Sequence, residues 1–370
     1  MKICFVGLEN LPVLAPEYGK HGIGGEQVQH TLMAKALARR GHEVTMVVAD
    51  YGQADGAVWQ GVKTYKAYAL HAGLPVLRYI HPRWTGLWRA LARADADLYY
   101  VSCAGMQVGL VAMFCQRHGR QFVYKIAHDK DCEPDDLLIQ YARDKKLYEY
   151  GLRRAGAIIA QSEQQQAAML ANYKLSSTVA HMMVDGTDRV RDYAERDIDV
   201  LWVNNLRQFK RPDLALSLAR LLPNLNIHMI GGAQAGFTEL YDSIRAEAAT
   251  LSNLTFHGRL PYHDMDRMYA QARVFINTSD TEGFPNSYLQ AWIRGTPVVA
   301  FFDPDALNQR HGLGVTPATL EDMAAAVAQL HGDRTVWEAC SARCTAFMEE
   351  FYGDDKILAP YMARFADLAP

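Results

Sequence analysis

The sequence lacks any apolar run of the length that a membrane-spanning helix requires, and it has no low-complexity segment or long repeat. Its first ten residues, MKICFVGLEN, have the pattern of a strand and not of a signal peptide. The six cysteines have neither paired nor zinc-type spacing, so we expect reduced thiols. Together these absences predict a cytoplasmic protein.

A strong charge of either sign is also missing. The net charge is −3, with 21 Lys and Arg against 17 Asp and Glu in residues 1–185, and 17 against 24 in residues 186–370. This asymmetry is too small to indicate a nucleic-acid partner, although it favours an N-terminal half that faces something anionic. What is present is a chain of 370 residues, 49% apolar and 21% charged, which suits a soluble enzyme of two domains.

Short apolar or β-branched runs alternate with helix-like segments along both halves of the chain. In the first half the runs are 2–6, 43–48, 98–101, 121–126, 157–160 and 178–182, with helical patterns at 26–40 and 107–118. In the second half they are 199–203, 226–230, 254–257, 273–277 and 297–300, with a helical pattern at 213–222. This alternation predicts an α/β fold with two doubly wound parallel sheets and a cleft between them, where the strands' carboxyl ends would hold a ligand.

The domain boundaries are predicted from composition. A seam near Val184-Asp185-Gly186-Thr187-Asp188 separates a first domain, 1–185, from a second, 186–350. The apolar and aromatic segment 351–368 is long enough for one further helix, which we assign to residues 351–370.

The run EGFPNSYLQAW, from Glu282 to Trp292, follows an apolar strand-like segment and opens a helix that ends near Gly295. A carboxylate at a strand's carboxyl end, beside a fresh helix N-terminus, suits a polar, anionic ligand. Free backbone N–H groups receive phosphate there, and the acid reaches hydroxyls. The alternative is that Glu282 caps the helix or pairs with a surface cation.

The loop Gly22-Ile23-Gly24-Gly25-Glu26 opens a helix, and its glycines allow a ligand to approach the backbone. A dinucleotide fingerprint needs its glycines directly after the first strand. Here they follow Val6 by about sixteen residues, so a nicotinamide site is excluded by the spacing. A simple loop that starts a helix remains the alternative.

The turn Asn204–Asp213, NNLRQFKRPD, places three cations, Arg207, Lys210 and Arg211, just beyond a strand. Arginine forms forked hydrogen bonds to phosphate oxygens, and lysine supplies a point charge. A solvated basic turn would have the same composition.

His128 and Asp129 also follow a predicted strand, on the side expected to face the cleft. A structural histidine is the alternative. The acidic run from Asp129 to Asp136 lacks histidine and regular ligand spacing, so we interpret it as a solvated loop and not as a metal site. Two glycine turns, Gly231-Gly232 and Gly258-Arg259-Leu260, end two more strands.

A segment of mixed character, 78–93, places Trp84, Trp88 and Leu91 on one helical face and Arg89 and Arg93 on another. Such a stripe either lies in a membrane surface or faces a core, and the second arrangement is the more common.

The Glu282 run resembles the E-G-F-G-x-x-x-x-E stretch of the family 4 retaining glycosyltransferases, a GT-B family described as glycosyl transferases group 1. Four features occur in that family's order and together span most of the chain. They are Gly24-Gly25-Glu26 in the long first loop, His128-Asp129 after a predicted strand, the turn with Lys210, and the run from Glu282.

The resemblance implies that Glu282 and His128 are catalytic and orient the transferred sugar. It implies a donor-binding role for Gly24, Gly25, Arg207, Lys210, Gly232, Arg259, Leu260, Phe284, Pro285, Asn286 and Gln290, with no metal required. Two positions depart from the pattern. Asn205 stands where the family has Arg, for which Arg207 would substitute, and Gln290 replaces the second Glu, which typically holds the ribose.

The resemblance further implies a GT-B architecture: two Rossmann-like domains facing across a cleft, with the C-terminal helix crossing back to the first domain. The implied reaction is retaining transfer of a sugar from a nucleotide diphosphate sugar to a glycan, lipid-linked or small-molecule hydroxyl acceptor, in cell-surface polysaccharide or glycan assembly. Peripheral contact of the N-terminal domain with the inner face of the cytoplasmic membrane fits this role. A nucleotide-sugar epimerase and a non-catalytic nucleotide-sugar-binding protein are the alternatives.

Overall fold

The structure, a computed structural model, describes residues 1–18, 23–184, 189–233 and 236–368. The chain forms two compact units, Met1–Met183 with Asp354–Pro370, and Val184–Gly353. Asp185, Gly186, Thr187 and Asp188 of the predicted seam, and Gly22 of the glycine loop, lie outside the described residues. In the described part of the chain, no helix combines the length and apolar character needed to span a bilayer.

The first unit contains a sheet of eight described strands. They are β1 (Lys2–Val6), β2 (Glu43–Val48), β3 (Val58–Trp59), β4 (Val62–Lys66), β5 (Leu98–Ser102), β6 (Gln121–Lys125), β7 (Ala157–Ala160) and β8 (Thr178–Val179). Their order is β3-β4-β2-β1-β5-β6-β7-β8, and all neighbours pair in parallel except β3 with β4. The predicted parallel sheet is confirmed, and β3 and β4 are additions that the apolar pattern missed.

The helices of this unit up to β8 are α1 (Leu11–Leu14), α2 (Gly25–Arg39), α3 (Thr85–Ala94), α4 (Met106–His118), α5 (Ala142–Leu152) and α6 (Glu163–Tyr173). Side chains alternate between the two faces of the sheet, as a strand's period of two requires. Val6 and Tyr99 belong to the core cluster that includes Leu87 of α3 and Phe114 of α4. The Phe5 side chain points to the opposite face of the sheet, where its ring centre lies 5.1 Å from that of His30 in α2.

The stripe on helix α3 faces the core. Leu87 and Leu91 are buried, and the Trp88 ring lies 5.2 Å from the ring of Phe114. The core-facing interpretation therefore applies, and this stripe is not a membrane surface.

The second unit contains a six-stranded parallel sheet among its described residues. The strands are β9 (Ile198–Val203), β10 (Ile227–Ile230), β11 (Leu254–Gly258), β12 (Ala272–Asn277), β13 (Val298–Ala300) and β14 (Gly314–Val315), in the order β11-β10-β9-β12-β13-β14. The helices are α7 (Pro212–Leu221), α8 (Thr238–Ala248), α9 (Met265–Gln271), α10 (Asn286–Trp292), α11 (Leu307–His311), α12 (Leu320–Gly332) and α13 (Arg334–Phe351). The predicted α/β alternation is confirmed in this unit as well.

The chain ends in helix α14, Asp354–Asp367, which belongs to the first unit. Its Tyr361 hydroxyl donates to the His181 carbonyl oxygen at 3.2 Å, and the Phe365 ring lies 6.2 Å from that of Tyr100. The prediction of one helix across 351–368 was wrong at its start. Phe351 ends α13, Tyr352 caps it, and the poor helix former Gly353 separates the two helices.

Two histidines on adjacent strands of the second unit form a pH-sensitive contact. His228 Nδ1 and His257 Nε2 lie 3.0 Å apart, and burial lowers the pKa of both rings. The neighbouring His257 lowers the pKa of His228 further, whereas Asp197 and Asp199 raise it. The pKa of each ring is lower in the folded state than in the unfolded state. The contribution of this pair to the free energy of unfolding is therefore complete above about pH 6.5, and it is lost as the pH falls through the folded-state pKa.

We therefore expect the free energy of unfolding of the second unit to fall on acidification below about pH 6.5. Urea titrations at neutral and mildly acidic pH measure it. The His228→Gln, His257→Gln double variant removes both titrating rings and should flatten this decline. An identical decline in the double variant would assign it to other groups.

Candidate functional site

The predicted donor-binding residues of the second unit gather at one edge of its sheet. Strands β11, β10, β9 and β12 are consecutive neighbours, and all run in parallel, so their carboxyl ends meet at the same edge. The segments that follow them carry Arg259 and Leu260, Gly232, Arg207 and Lys210, and the run from Glu282. The strand order, which the sequence does not state, brings these four segments together.

The loops after β9 and β12 are tied together through Thr278. Its hydroxyl lies 2.9 Å from the carbonyl oxygens of both Lys210 and Arg211, and it accepts a 2.9 Å hydrogen bond from the indole N–H of the buried Trp202. The Asp280 N–H also donates to the Phe209 carbonyl oxygen at 2.9 Å. These contacts fix the 3-10 turn Gln208–Lys210 beside the segment that carries Glu282.

Lys210 and Glu282 form an ion pair between Nζ and Oε2. Both side chains are largely shielded from solvent, with 14% and 9% of their surfaces exposed. An ammonium has three N–H donors, so Lys210 retains two for other acceptors. The arrangement joins the cation and the carboxylate that the sequence singled out in one small polar site.

The Glu282 carboxylate is oriented by two further donors. Asn277 Nδ2 and the Ser279 hydroxyl donate to Oε1 at 3.1 and 2.7 Å, and Asn277 Oδ1 accepts from the Ser279 N–H at 2.8 Å. A carboxylate accepts about four hydrogen bonds, and the described residues that bond Glu282, namely Lys210, Asn277 and Ser279, account for three of them. We did not predict Asn277 and Ser279. The signal that could have found them is the polar Asn-Thr-Ser directly after an apolar strand.

The other two cations of the turn differ in their surroundings. Arg207 precedes the 3-10 turn and is half-buried, and its predicted contact with phosphate stays a prediction. Arg211 adopts the left-handed conformation, with φ of 47°, and its guanidinium bonds Asp213 at 2.9 Å and Asp280 at 3.4 Å. Because two carboxylates bind the Arg211 guanidinium, this side chain stabilises the turn.

Gly232 and Arg259 fit against each other after β10 and β11. A Cβ on Gly232 would lie 2.4 Å from Arg259 Nε, so a larger residue there would displace the Arg259 side chain from this position. Arg259 donates to the Ala233 carbonyl oxygen at 2.7 Å but is otherwise exposed, and the adjacent Leu260 is half-buried. The contact of this pair with the donor stays a prediction.

The segment after Glu282 begins a short helix. Phe284 and Pro285 are buried, and Asn286 is the first residue of the seven-residue α10. Gln290 lies further along the same helix, where its Oε1 accepts a 2.7 Å hydrogen bond from Arg294. Arg294 is held in turn by Asp266. A ribose contact by Gln290 stays a prediction, and it would require the amide oxygen to be shared with Arg294.

Gly24, Gly25 and His128 belong to the first unit. Gly24 caps α2, its N–H donates to Gln27 Oε1 at 3.0 Å, and a Cβ there would lie 2.6 Å from that oxygen. Gly25 is the first helical residue. That Cβ contact is with the flexible end of the Gln27 side chain, and Gly24 has an ordinary extended backbone with φ of −106°, so the capping contact alone does not require glycine.

His128 follows β6 and caps the 3-10 turn Asp129–Cys132. Its Nδ1 accepts from the Lys130 N–H at 3.1 Å, so the neutral ring carries its proton on Nε2. The expectation that the whole acidic run is solvated was wrong for Asp131. This side chain is buried and accepts from the N–H of Ala127 and His128, and burial raises its pKa to about 6.

Within the described residues, no group of three or more His, Cys, Asp or Glu side chains is arranged to hold a metal ion. The positive charge at the sheet edge comes from Lys210, Arg207 and the exposed Arg259.

Comparison with known proteins places the chain in a family. Residues 24–183 match the model of a glycosyl transferase 4-like domain, and residues 197–333 match that of the glycosyl transferases group 1. Two Escherichia coli proteins, O-antigen biosynthesis glycosyltransferase WbnH and probable O-antigen biosynthesis glycosyltransferase WbiN, are each 29% identical over 104 residues, 27% of this chain. The match spans only 27% of the length of these curated relatives.

Similar solved structures extend over the whole chain. Sucrose-phosphate synthase from Thermosynechococcus elongatus is 15% identical with a TM-score of 0.75, covering 99% of this chain and 98% of that one. Anabaena HepE, solved with UDP and glucose, is 16% identical with a TM-score of 0.70, covering 99% and 100%. WaaG, a glycosyltransferase involved in lipopolysaccharide biosynthesis, is 14% identical with a TM-score of 0.65, covering 98% and 99%.

These likenesses define the class of the protein, a GT-B fold with two Rossmann-like domains. Because the two family models together cover most of the sequence, the chain belongs to the group 1 glycosyltransferases and is family 4-like. The resemblance stated from the sequence is thereby confirmed.

Proposed function

We propose that this protein is a retaining glycosyltransferase, which moves a sugar from a nucleotide diphosphate sugar to a hydroxyl acceptor in cell-surface polysaccharide or glycan assembly. The observation that carries the proposal is the shielded Lys210–Glu282 pair at the carboxyl edge of the second sheet. HepE, which was solved with UDP and glucose, and the O-antigen proteins support the donor class and the pathway class.

The donor's diphosphate would be held by Lys210 and Arg207. As the bond between the sugar's C1 and the phosphate oxygen breaks, its electron pair passes to that oxygen, and negative charge grows on the leaving diphosphate. The two free N–H groups of Lys210 meet this charge in a site largely shielded from water, where a fixed cation is most effective. Retention follows when the acceptor hydroxyl attacks C1 on the face that the diphosphate leaves and gives its proton to the departing phosphate oxygen.

Glu282 and His128 would orient the sugar. Three of the carboxylate's hydrogen-bonding positions are taken by Lys210, Asn277 and Ser279, and the fourth can accept from a sugar hydroxyl. His128 would offer its Nε2–H as a donor to another hydroxyl. Since Glu282 is held by three donors, it is suited to positioning and not to nucleophilic attack, so we do not propose a covalent glycosyl-enzyme intermediate.

The test is product analysis with a panel of UDP-, ADP- and GDP-sugars and hydroxyl acceptors, by mass spectrometry and by NMR of the anomeric proton. We expect glycoside product with retained configuration, and we expect transfer to persist in chelator, because Lys210 and Arg207 supply the charge that a metal otherwise would.

An inverted product would overturn the retaining mechanism, and activity abolished by chelator would overturn the metal-free one. An epimerised donor without added acceptor would identify an epimerase. Nucleotide binding without transfer or donor hydrolysis across the panel would identify a non-catalytic binding protein.

A further inference from the structure

Asp131 is a buried carboxylate of the first unit that the proposed transfer reaction does not use. Only 3% of its surface is exposed, although the acidic run to which it belongs otherwise reaches solvent. Within the described residues no Lys, Arg or His side chain forms an ion pair with it, and the adjacent Lys130 pairs with Asp136 instead. A charge that is buried without a counter-ion is costly, so the hydrogen bonds that hold it show what the residue does.

Four groups donate hydrogen bonds to the Asp131 carboxylate. Its Oδ2 accepts from the N–H of Ala127 at 2.9 Å, from the N–H of His128 at 3.2 Å and from the hydroxyl of Tyr124 at 3.2 Å. The N–H of Ala104, which follows β5, also donates to this carboxylate. Because β5 and β6 are neighbours in the sheet, the side chain ties together the two loops that follow them.

The contact between Asp131 and His128 is reciprocal. The Asp131 N–H donates to the His128 carbonyl oxygen at 2.9 Å, while the His128 Nδ1 accepts from the Lys130 N–H at 3.1 Å. The backbone of His128 is therefore held on both sides and its ring is held through Nδ1, which fixes the direction of Nε2. A helix cap requires only the His128 contact, so the bonds from Ala127 and Ala104 exceed the needs of a cap.

The backbone beside this carboxylate is strained. Cys103, directly before Ala104, adopts a positive φ of 70°, which is unfavourable for a residue with a side chain. Such strain persists where the surrounding structure fixes it, and it concentrates at functional sites. A neutral side chain would fill the space of Asp131 without the cost of a buried charge, so packing alone does not explain the carboxylate.

We propose that Asp131 is a positioning residue for His128, and that the loss of its negative charge in acid lowers the rate of sugar transfer. The inference rests on the proposed function, in which the His128 Nε2–H donates to a sugar hydroxyl. An ionised carboxylate is a stronger acceptor than a neutral carboxyl group, in which one oxygen becomes a donor. Protonation of Asp131 therefore loosens the contacts that fix the His128 backbone.

The surroundings of Asp131 set the pH range of this effect. Burial raises its pKa to about 6, and the four hydrogen bonds oppose that rise. Burial also raises the pKa of each tyrosine and cysteine that faces it, so these groups stay neutral in this range: Tyr124, Tyr148, Tyr173, Cys103 and Cys132. The charged side chains of the same turn bond other partners, namely Asp129 to Gln165, Lys130 to Asp136 and Glu133 to Asn172.

Stability and activity should respond to this group in opposite directions. The pKa of Asp131 is higher in the folded state than its ordinary value of 3.8. Its contribution to the free energy of unfolding is therefore complete below that value and is lost as the pH rises through about 6. Protonation of Asp131 stabilises the fold, so a loss of activity caused by this residue in acid is not a loss of folded protein.

Backbone amide NMR spectroscopy of the whole chain tests the contact without any substrate. We expect the amide protons of Ala127 and His128 to shift together with a midpoint near pH 6, and the Asp131→Asn variant to lose this titration. Imidazole groups titrate in the same range, so the His128→Gln variant separates the two, and the Ala127 shift should persist in it. An Ala127 shift that is absent from the parent, or that disappears in His128→Gln, would overturn the proposal.

Initial rates of transfer between about pH 5 and pH 8 test the consequence for activity. The rate of the parent should decline in acid with a midpoint near pH 6. Asp131→Asn should be at least about fivefold slower at neutral pH, because His128 is less well fixed, and its rate should lack this decline. Circular dichroism at each pH checks that both proteins are folded.

Tyr148→Phe is the matched control. It removes the 2.7 Å hydrogen bond from the Tyr148 hydroxyl to the Asp131 carbonyl oxygen and leaves the carboxylate in place, so the decline in acid should remain. An Asp131→Asn profile that keeps the decline of the parent would overturn the proposal. Absence of any transfer would overturn the proposed function and with it the effect on rate, whereas the amide titration reports the contact in either case.

Discussion

Replacing Lys210 by alanine is expected to lower the turnover of sugar transfer at least tenfold, about 1.4 kcal/mol of barrier. The ammonium is the shielded cation at the sheet edge, and two of its N–H groups are not used by Glu282. Glu282→Ala should lower turnover by a similar factor, because it removes the carboxylate that would position the sugar. Initial rates with a donor that the parent protein accepts measure both effects.

Each substitution also breaks an ion pair, so lost activity must be separated from lost stability. Removing one partner of a buried pair costs about 3 kcal/mol, because the other charge is left without compensation. The double variant Lys210→Ala, Glu282→Gln removes both charges and should regain much of the stability, as measured by urea unfolding. If the pair is functional, the double variant stays inactive although it is stable.

Recovery of near-parental rates in the stable double variant would show that the pair serves only the fold.

Two further variants serve as controls. Asn277→Ala removes one donor to Glu282 but neither charge, so its effect should be smaller and should fall on positioning of the sugar. Arg220→Ala breaks the exposed pair with Glu247 in the same unit and should change neither rate nor stability appreciably.

Replacing Arg196 by methionine is expected to destabilise the second unit by at least about 3 kcal/mol. The guanidinium is fully buried and has no carboxylate partner in the described chain. It donates to the carbonyl oxygens of Arg191, Ala272 and Arg294 and to the Thr296 hydroxyl, and it stacks 4.8 Å from the Trp337 ring centre. Burial lowers its pKa to about 10.

The reason for so large an effect is that methionine fills the space without donating hydrogen bonds. The four acceptors would then lose the guanidinium, although the Ala272 carbonyl oxygen still accepts from the Thr296 hydroxyl at 3.3 Å. Each acceptor that is left buried without a partner costs about 1–3 kcal/mol. Urea unfolding measures the change, with Arg220→Met as the matched exposed control. A loss below about 1 kcal/mol would mean that water or a shift of the backbone satisfies these acceptors.

The strands that the sequence predicted well are those buried on both faces. Residues 2–6, 43–48 and 157–160 match β1, β2 and β7 at both ends, because a buried parallel strand is a nearly continuous apolar run. Strands β3 and β4 were missed because Val58 of the two-residue β3 is exposed, and because three of the five residues of β4 are polar, namely Lys63, Thr64 and Lys66. A strand at the edge of a sheet, such as β3, or one with polar and solvated positions, such as β4, carries a weaker apolar signal.

Among functional and buried polar residues, too, the sequence revealed some and missed others. Lys210 and Glu282 were found because charged residues directly after an apolar strand, in runs that resemble a family's motifs, are visible in the sequence itself. Arg196 was not found, since the charged stretch around it resembles an exposed linker, and burial depends on partners that lie 76 and 98 residues further along the chain. Asn277 and Ser279 have no charge to draw attention to them, although they fix the direction of the carboxylate.

The sequence by itself determined the α/β alternation, the family and the chemical types at the strand ends, because apolar periodicity and residue chemistry are local properties of the chain. Only the tertiary structure decided which strand ends are neighbours, and hence that a lysine and a glutamate 72 residues apart form one ion pair. Strand order is set by packing among distant segments, and no local pattern records it.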